Sequence, residues 1–290
     1  MITQLKKILI ISFLFFLACK KREDISTLRY TTRTTHIYKE NLSFDYYKPK
    51  KPNDFTIIYI HGGGFSKGKK DSKEIIQLAE DFGKNGYATI SISYRLGLKG
   101  FNDNCKISAS DKIRAFDIAS KDIYNSINYI LQNRHKLHIN TDKIFISGIS
   151  AGAEAILNLF YLIEEKTISQ EIKFKGVISR SGAIRSLNCL DKIDIPLQLF
   201  HGTKDSIVPY DVGFHRNCIE TEPGYLKLFG SKAIANHLKK SDKPYYLITL
   251  KNGDHGMKAF SYYDYVKECL LFLNSVRLNT FNKQIEKYYN

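Results

Sequence analysis

The chain has 290 residues, 43% of them hydrophobic and 25% charged, which suits one large α/β unit and excludes wholesale disorder. The formal net charge is +15, yet Lys and Arg are scattered and runs such as 48–51 and 67–70 are short. Charge spread in this way bears on solubility and loose association, so nucleic acid is not an expected partner.

At the start of the chain, Lys6 and Lys7 precede an apolar run over residues 8–17. A bilayer-spanning helix needs about 20 apolar residues, so this run has the length of a secretory h-region instead. Residues 1–18 are read as a signal peptide, 19–30 as a polar tether and 31–290 as a single α/β domain. The stretch Phe16-Leu17-Ala18-Cys19 resembles a bacterial lipoprotein signal, although Phe16 stands where Leu, Val or Ile is usual. The resemblance implies lipid on Cys19, export, and membrane attachment through a lipid anchor in the periplasm or at the cell surface. A plain secretory signal cut near Ala18 and an uncleaved anchor are the alternatives. Four cysteines remain: Cys105, Cys189, Cys218 and Cys269. Sequence cannot choose among their three full pairings, and buried free thiols are an equal alternative. None of the Cys and His spacings suits a structural zinc.

Beyond the tether, strand-like and helix-like segments alternate. Residues 42–47, 55–60 and 88–94 read as strands, with a helical segment over 74–82. Residues 113–133 form a long amphipathic pattern, followed by a strand at 143–147 and a helix at 151–162. Further strands fall at 175–178, 197–200 and 245–250, with a closing helix over 262–276. Short apolar strands separated by helices predict βαβ units and a mostly parallel central sheet flanked by helices. Such sheets carry their reactive residues at the carboxyl ends of strands.

Three strand ends stand out. Gly148-Ile149-Ser150-Ala151-Gly152 is a G-x-S-x-G segment between a predicted strand and a predicted helix, where a sharp turn lifts a serine hydroxyl above the sheet. His61-Gly62-Gly63-Gly64-Phe65 follows an apolar strand and can turn backbone N–H groups toward an oxyanion. Asn252-Gly253-Asp254-His255-Gly256 follows the 245–250 strand.

The elbow and the glycine loop together resemble the α/β-hydrolase superfamily, and within it the esterases and lipases with an HGGG loop. The resemblance covers roughly residues 50–275. The family order of serine, acid and histidine falls on Ser150, on Asp205 in the segment from His201 to Pro209, and on His255. It implies Ser150 as nucleophile, His255 as its base and Asp205 as the group that orients the imidazole. Backbone N–H groups of Gly63, Gly64 and Ala151 would then hold the oxyanion, with no metal or organic cofactor. Asp254 is the weaker acid candidate, being adjacent to His255 in sequence. His61 and His201 are read as bracing residues, and His36, His135, His138, His215 and His237 as surface or packing residues. Ser93-Tyr94-Arg95-Leu96 is read as structural. Gly152-Ala153 replaces the glycine pair of many relatives, and no Asp or Glu precedes Ser150, unlike the hormone-sensitive-lipase-like branch.

The stretches 97–112 and 210–231 read as irregular; the second caps the entrance or is a packed surface helix and loop. The implied substrate is a small-molecule or glycan ester, as in enzymes that remove acetyl or feruloyl groups from plant polysaccharides. An amidase or exopeptidase on the same residues, and a non-catalytic binding protein of this fold, are the rival expectations.

Overall fold

The structure, a computed structural model, describes residues 28–101, 104–164, 174–281 and 283–290. The segment read as signal peptide, with Cys19 and the tether up to residue 27, lies outside the described residues. No helix among the described residues is long and apolar enough to cross a membrane.

In chain order the elements are β1 (Thr31–Lys39), β2 (Leu42–Pro49), β3 (Thr56–Ile60), α1 (Lys73–Lys84), β4 (Ala88–Ile92), α2 (Ala109–Gln132) and α3 (Arg134–Leu137). They continue with β5 (Ile144–Ile149), α4 (Ala151–Glu164), β6 (Gly176–Arg180), β7 (Ala183–Ile184), β8 (Leu197–Gly202), β9 (Val212–Phe214) and β10 (Lys227–Gly230). The last are α5 (Ser231–Lys240), β11 (Tyr245–Leu250), α6 (Tyr262–Arg277) and β12 (Gln284–Tyr289). Nine strands form one sheet in the order β1-β2-β4-β3-β5-β6-β8-β11-β12, and β7-β10-β9 form a small second sheet. The pairs β1–β2 and β2–β4 are antiparallel, and every later pair in the large sheet is parallel.

The period of two in the central strands explains why helices cover both faces. Ile58, Ile146, Val177 and Leu199 point into one apolar layer with Ile123 and Ile127 of α2, Ile156 of α4 and Ile234 of α5. Their neighbours Ile57, Phe145, Ile178 and Phe200 point the other way, against Leu78 of α1 and Phe272 of α6. Serines cap three helices: Ser72, Ser108 and Ser261 side chains accept from the N–H groups of Ile75, Asp111 and Asp264.

Two edge strands, β1 and β12, escape a reading by hydrophobic period. β1 and β12 lie at the two ends of the sheet order and expose one side, so polar residues replace the apolar alternation. Helix α2 starts at Ala109, four residues before its apolar repeat, because Ser108 supplies the cap and residues 110–112 are polar. The 97–112 and 210–231 stretches are joined by a disulfide, Cys105–Cys218, while Cys189 and Cys269 are buried thiols. Burial pushes the Cys269 thiol up to about 12, so it does not ionise at neutral pH.

Candidate active site

Strand β5 ends at Ile149, and the chain turns sharply at Ser150 before α4 begins. Ser150 has φ 53°, a left-handed conformation that disfavours a side chain and marks a locally strained turn. The turn is held from both sides: the Ser150 N–H donates to Arg180 O at 2.8 Å, and Ser150 O accepts from the Glu154 N–H at 2.9 Å. Gly152 lets the turn pack, since a Cβ there would lie 2.3 Å from Ile60 O.

Three strand ends then converge. The Ser150 hydroxyl lies 2.8 Å from His255 Nε2, and His255 Nδ1 lies 2.7 Å from Asp205 Oδ2. Asp205 follows β8 and His255 follows β11, which neighbour each other in the sheet. The histidine turn is pinned at two carbonyls: His255 O accepts from Ser181 Oγ at 2.9 Å, and Gly256 O from Arg180 Nη2 at 2.8 Å. Asp254, the other acid near His255, is half exposed and accepts from the Lys258 N–H at 3.2 Å.

Every lone-pair direction of Asp205 is used. Its Oδ1 accepts from the N–H groups of Ile207 at 2.8 Å and Val208 at 3.0 Å. Its Oδ2 faces two imidazoles, His255 Nδ1 and, at 3.0 Å, His201 Nε2. Burial alone would raise the carboxyl pKa, but the hydrogen bonds from His201 and His255 and the field of both rings hold it well below the ordinary carboxylate range. The acid is thus ionised at neutral pH, which assigns the proton of His255 to Nδ1 and leaves Nε2 as a lone pair facing the serine hydroxyl. His201 is fully buried; its Nε2 faces two acceptors, Asp205 Oδ2 and Val208 O, so it carries the hydrogen, and its Nδ1 lies 2.9 Å from Ser231 Oγ.

His201→Phe keeps a ring in place but removes both nitrogens. The expected result is about tenfold lower kcat at unchanged KM, the scale of one charge-assisted hydrogen bond to the carboxylate. Buried Val208 O and Ser231 Oγ also lose a partner, so urea unfolding should show a loss of about 1–3 kcal/mol.

Beside the serine, Gly62, Gly63 and Gly64 line a cavity of about 600 Å³ together with Ser150 and His255. Gly63 has φ 120°, and a Cβ on it would lie 2.1 Å from Lys67 O, so the loop path is open to glycine alone. Behind it, His61 Nδ1 donates to Gly62 O at 2.8 Å, and its ring stacks on Tyr94 at 4.4 Å. Tyr94 in turn donates to His61 O at 2.7 Å, and Arg95 grips Asp122 through two nitrogens at 2.7 and 2.9 Å. Ala151 is fully buried at the first position of α4, where helix N–H groups lack intrahelical acceptors.

The cavity also shows Glu154, which the sequence reading passes over, and His215, which it takes as a surface or packing residue. Glu154, one helical turn after Ser150, and His215 are both buried and both line it, with His215 Nε2 3.7 Å from Glu154 Oε1. Of His215, the packing reading holds and the surface alternative does not. The four-residue step from Ser150 is the signal that flags Glu154, whereas nothing local to His215 marks it.

Burial, then the charges of Lys112, Arg216 and His255, lower the His215 pKa to about 3 from an ordinary 6.5. The unfolded ring therefore takes up a proton as pH falls below about 6.5 while the folded ring stays neutral until about 3. Stability is lost on acidification through that window. His215→Gln, which cannot protonate, is expected to lose less stability than the wild type between pH 7 and pH 4.5, read from urea midpoints.

Residues 44–183 match the BD-FAE family, a span that includes the glycine loop and Ser150. Among curated proteins, Esterase E4 of Myzus persicae is 29% identical over 124 residues, 40% of this chain and 21% of E4. The chain thus spans about a fifth of the length of that relative. Acyl-protein thioesterase 1 homolog 2 of Dictyostelium discoideum is 27% identical over 225 residues, 73% of this chain and 90% of the relative. Among solved structures, MGS-M1, an alpha/beta hydrolase enzyme from a deep-sea metagenome library, aligns with TM-score 0.57 at 17% identity, covering 85% of this chain and 98% of its own. A truncated carbohydrate esterase from gut microbiota aligns with TM-score 0.63, also at 17% identity, covering 87% and 99%. With its sheet order, its elbow after β5 and these likenesses, the chain has the α/β-hydrolase fold.

Proposed function

We propose that the protein is a serine hydrolase of carboxylic esters that works through an acyl-enzyme on Ser150. The observation that carries this reading is the unbroken line from Ser150 Oγ through His255 to Asp205, at 2.8 and 2.7 Å, opening onto a glycine-lined cavity. His255 Nε2 takes the hydroxyl proton as Ser150 Oγ attacks the ester carbonyl, and Asp205 stabilises the imidazolium that forms. The N–H groups of Gly63, Gly64 and Ala151 receive the developing oxyanion, where each such donor is worth about 10²–10³ in rate. The imidazolium returns the proton to the leaving alcohol. A water molecule, deprotonated by the same ring, then releases the acid and restores Ser150.

The substrate class we propose is a short-acyl or carbohydrate-linked ester. The cavity size of about 600 Å³ and the likeness to a carbohydrate esterase support it. Amide hydrolysis on the same residues is the second reading. Hydrolysis of p-nitrophenyl acetate well above that of the matched p-nitroanilide is the expected result; the reverse order favours the amidase. We also propose export with lipid on Cys19. A fatty-acid analogue fed to the expressing bacterium should label the wild type and fail to label Cys19→Ser.

A further inference from the structure

Two stretches that the proposed reaction does not use meet beside Ser150. One leaves the carboxyl end of β4 and the other that of β8, and β3, β5 and β6 lie between these strands. At about 4.8 Å per strand their origins are about 19 Å apart, on either side of the strand that carries the serine. They are nonetheless joined covalently through Cys105 and Cys218, whose Cα atoms are 5.4 Å apart. Hydrogen bonds extend the seam: the Gly224 N–H donates to Cys105 O at 2.9 Å, and the Ala109 N–H to Pro223 O at 2.7 Å. The fully buried Lys112 ammonium donates to Gly224 O at 3.2 Å.

Each half of this strap also touches a part of the site. From the first half, the Leu98 N–H donates to Phe65 O at 2.9 Å, next to the glycine loop. From the second, the Arg216 N–H donates to Ile207 O at 2.7 Å, next to the turn that carries Asp205. Phe101 from the first half, and His215 and Arg216 from the second, line the cavity. Phe101 does so while 62% exposed, its N–H donating to Leu98 O at 3.0 Å.

We propose that the Cys105–Cys218 strap is a specificity determinant of the reaction proposed above, on which this inference rests. The crosslink holds the stretch that carries Phe101 against the stretch that carries His215 and Arg216, so a bulky acyl group cannot spread the two. Ser150, Asp205 and His255 are held by the turns after β5, β8 and β11 and by their own hydrogen bonds, so opening the strap leaves the reacting groups in place. Discrimination by size then falls while turnover of small esters persists.

The test compares p-nitrophenyl acetate with p-nitrophenyl benzoate. In the Cys105→Ser/Cys218→Ser variant, kcat/KM for the acetate is expected within about threefold of wild type. The benzoate-to-acetate ratio should rise about tenfold, the scale on which pocket walls sort substrates, through KM more than kcat. Phe101→Ala, which leaves the crosslink intact, should move the ratio in the same direction. A variant that folds poorly does not remove the test, because the folded wild type can be treated with dithiothreitol. The reagent breaks the S–S bond, gives two protein thiols and closes to its own disulfide. An unchanged ratio in reduced protein that still shows the native circular dichroism overturns the proposal. So does loss of both activities in that protein, and so does its unfolding, which would make the crosslink a stability device. An oxidised wild type that hydrolyses neither ester sinks the serine-hydrolase reading instead.

Discussion

Ser150→Ala is expected to lower kcat for p-nitrophenyl acetate by about 10⁴–10⁶-fold, leaving a residue of activity from the anion cradle and binding. The substitution removes one oxygen whose neighbour in the site is His255 Nε2, and it leaves the backbone bonds of the turn untouched. Alanine tolerates the φ of 53° about as well as serine does, so the fold and the cavity should survive. Unchanged circular dichroism and an unchanged urea midpoint separate lost chemistry from lost structure. A fall of less than about tenfold would show that another nucleophile acts.

Asp205→Asn is expected to cost about 10³–10⁴ in kcat, and the reason lies in how the carboxylate is held. Oδ1 accepts from two backbone N–H groups, so the amide oxygen of an asparagine takes that place. The amide nitrogen then occupies the Oδ2 position and presents hydrogens to His255 Nδ1 and His201 Nε2. The His255 ring answers by moving its proton to Nε2, where it faces the Ser150 hydroxyl and can no longer accept its proton. Rate measurements should show the loss in kcat with KM little changed. Because the ionised acid also carries a lowered pKa, the wild type loses its share of stability as pH falls below the ordinary carboxylate range, and the asparagine variant does not. Urea midpoints of both proteins between pH 5 and pH 3 check the sign.

The central strands, the elbow and the order of the three strand-end turns were legible because each leaves a local mark. β3, β5 and β8 are short apolar runs, and glycines flank Ser150 at the spacing a close turn requires. The edge strands β1 and β12 leave no such mark, since β1 turns much of its length to solvent, β12 is only partly buried, and Thr, Lys and Gln interrupt an apolar period. What stayed hidden in the site depends on contacts between distant segments. Cys105 and Cys218 are 113 positions apart, and only the sheet order brings their stretches together. His215 reaches the cavity because β9 and the turn after it fold back toward α4, a path set by the small second sheet rather than by any nearby motif. The second histidine on Asp205 is a similar case: His201 was read as bracing, and its bond to Oδ2 makes it a positioning group for the acid.

The most direct measurement is the mass of the serine-bearing peptide after reaction with a fluorophosphonate. The expected result is a phosphonyl adduct on Ser150 in folded wild type, a strongly slowed reaction in His255→Ala, and no adduct in Ser150→Ala. Folded wild-type protein that stays unlabelled, or that carries the adduct on another residue, would contradict it.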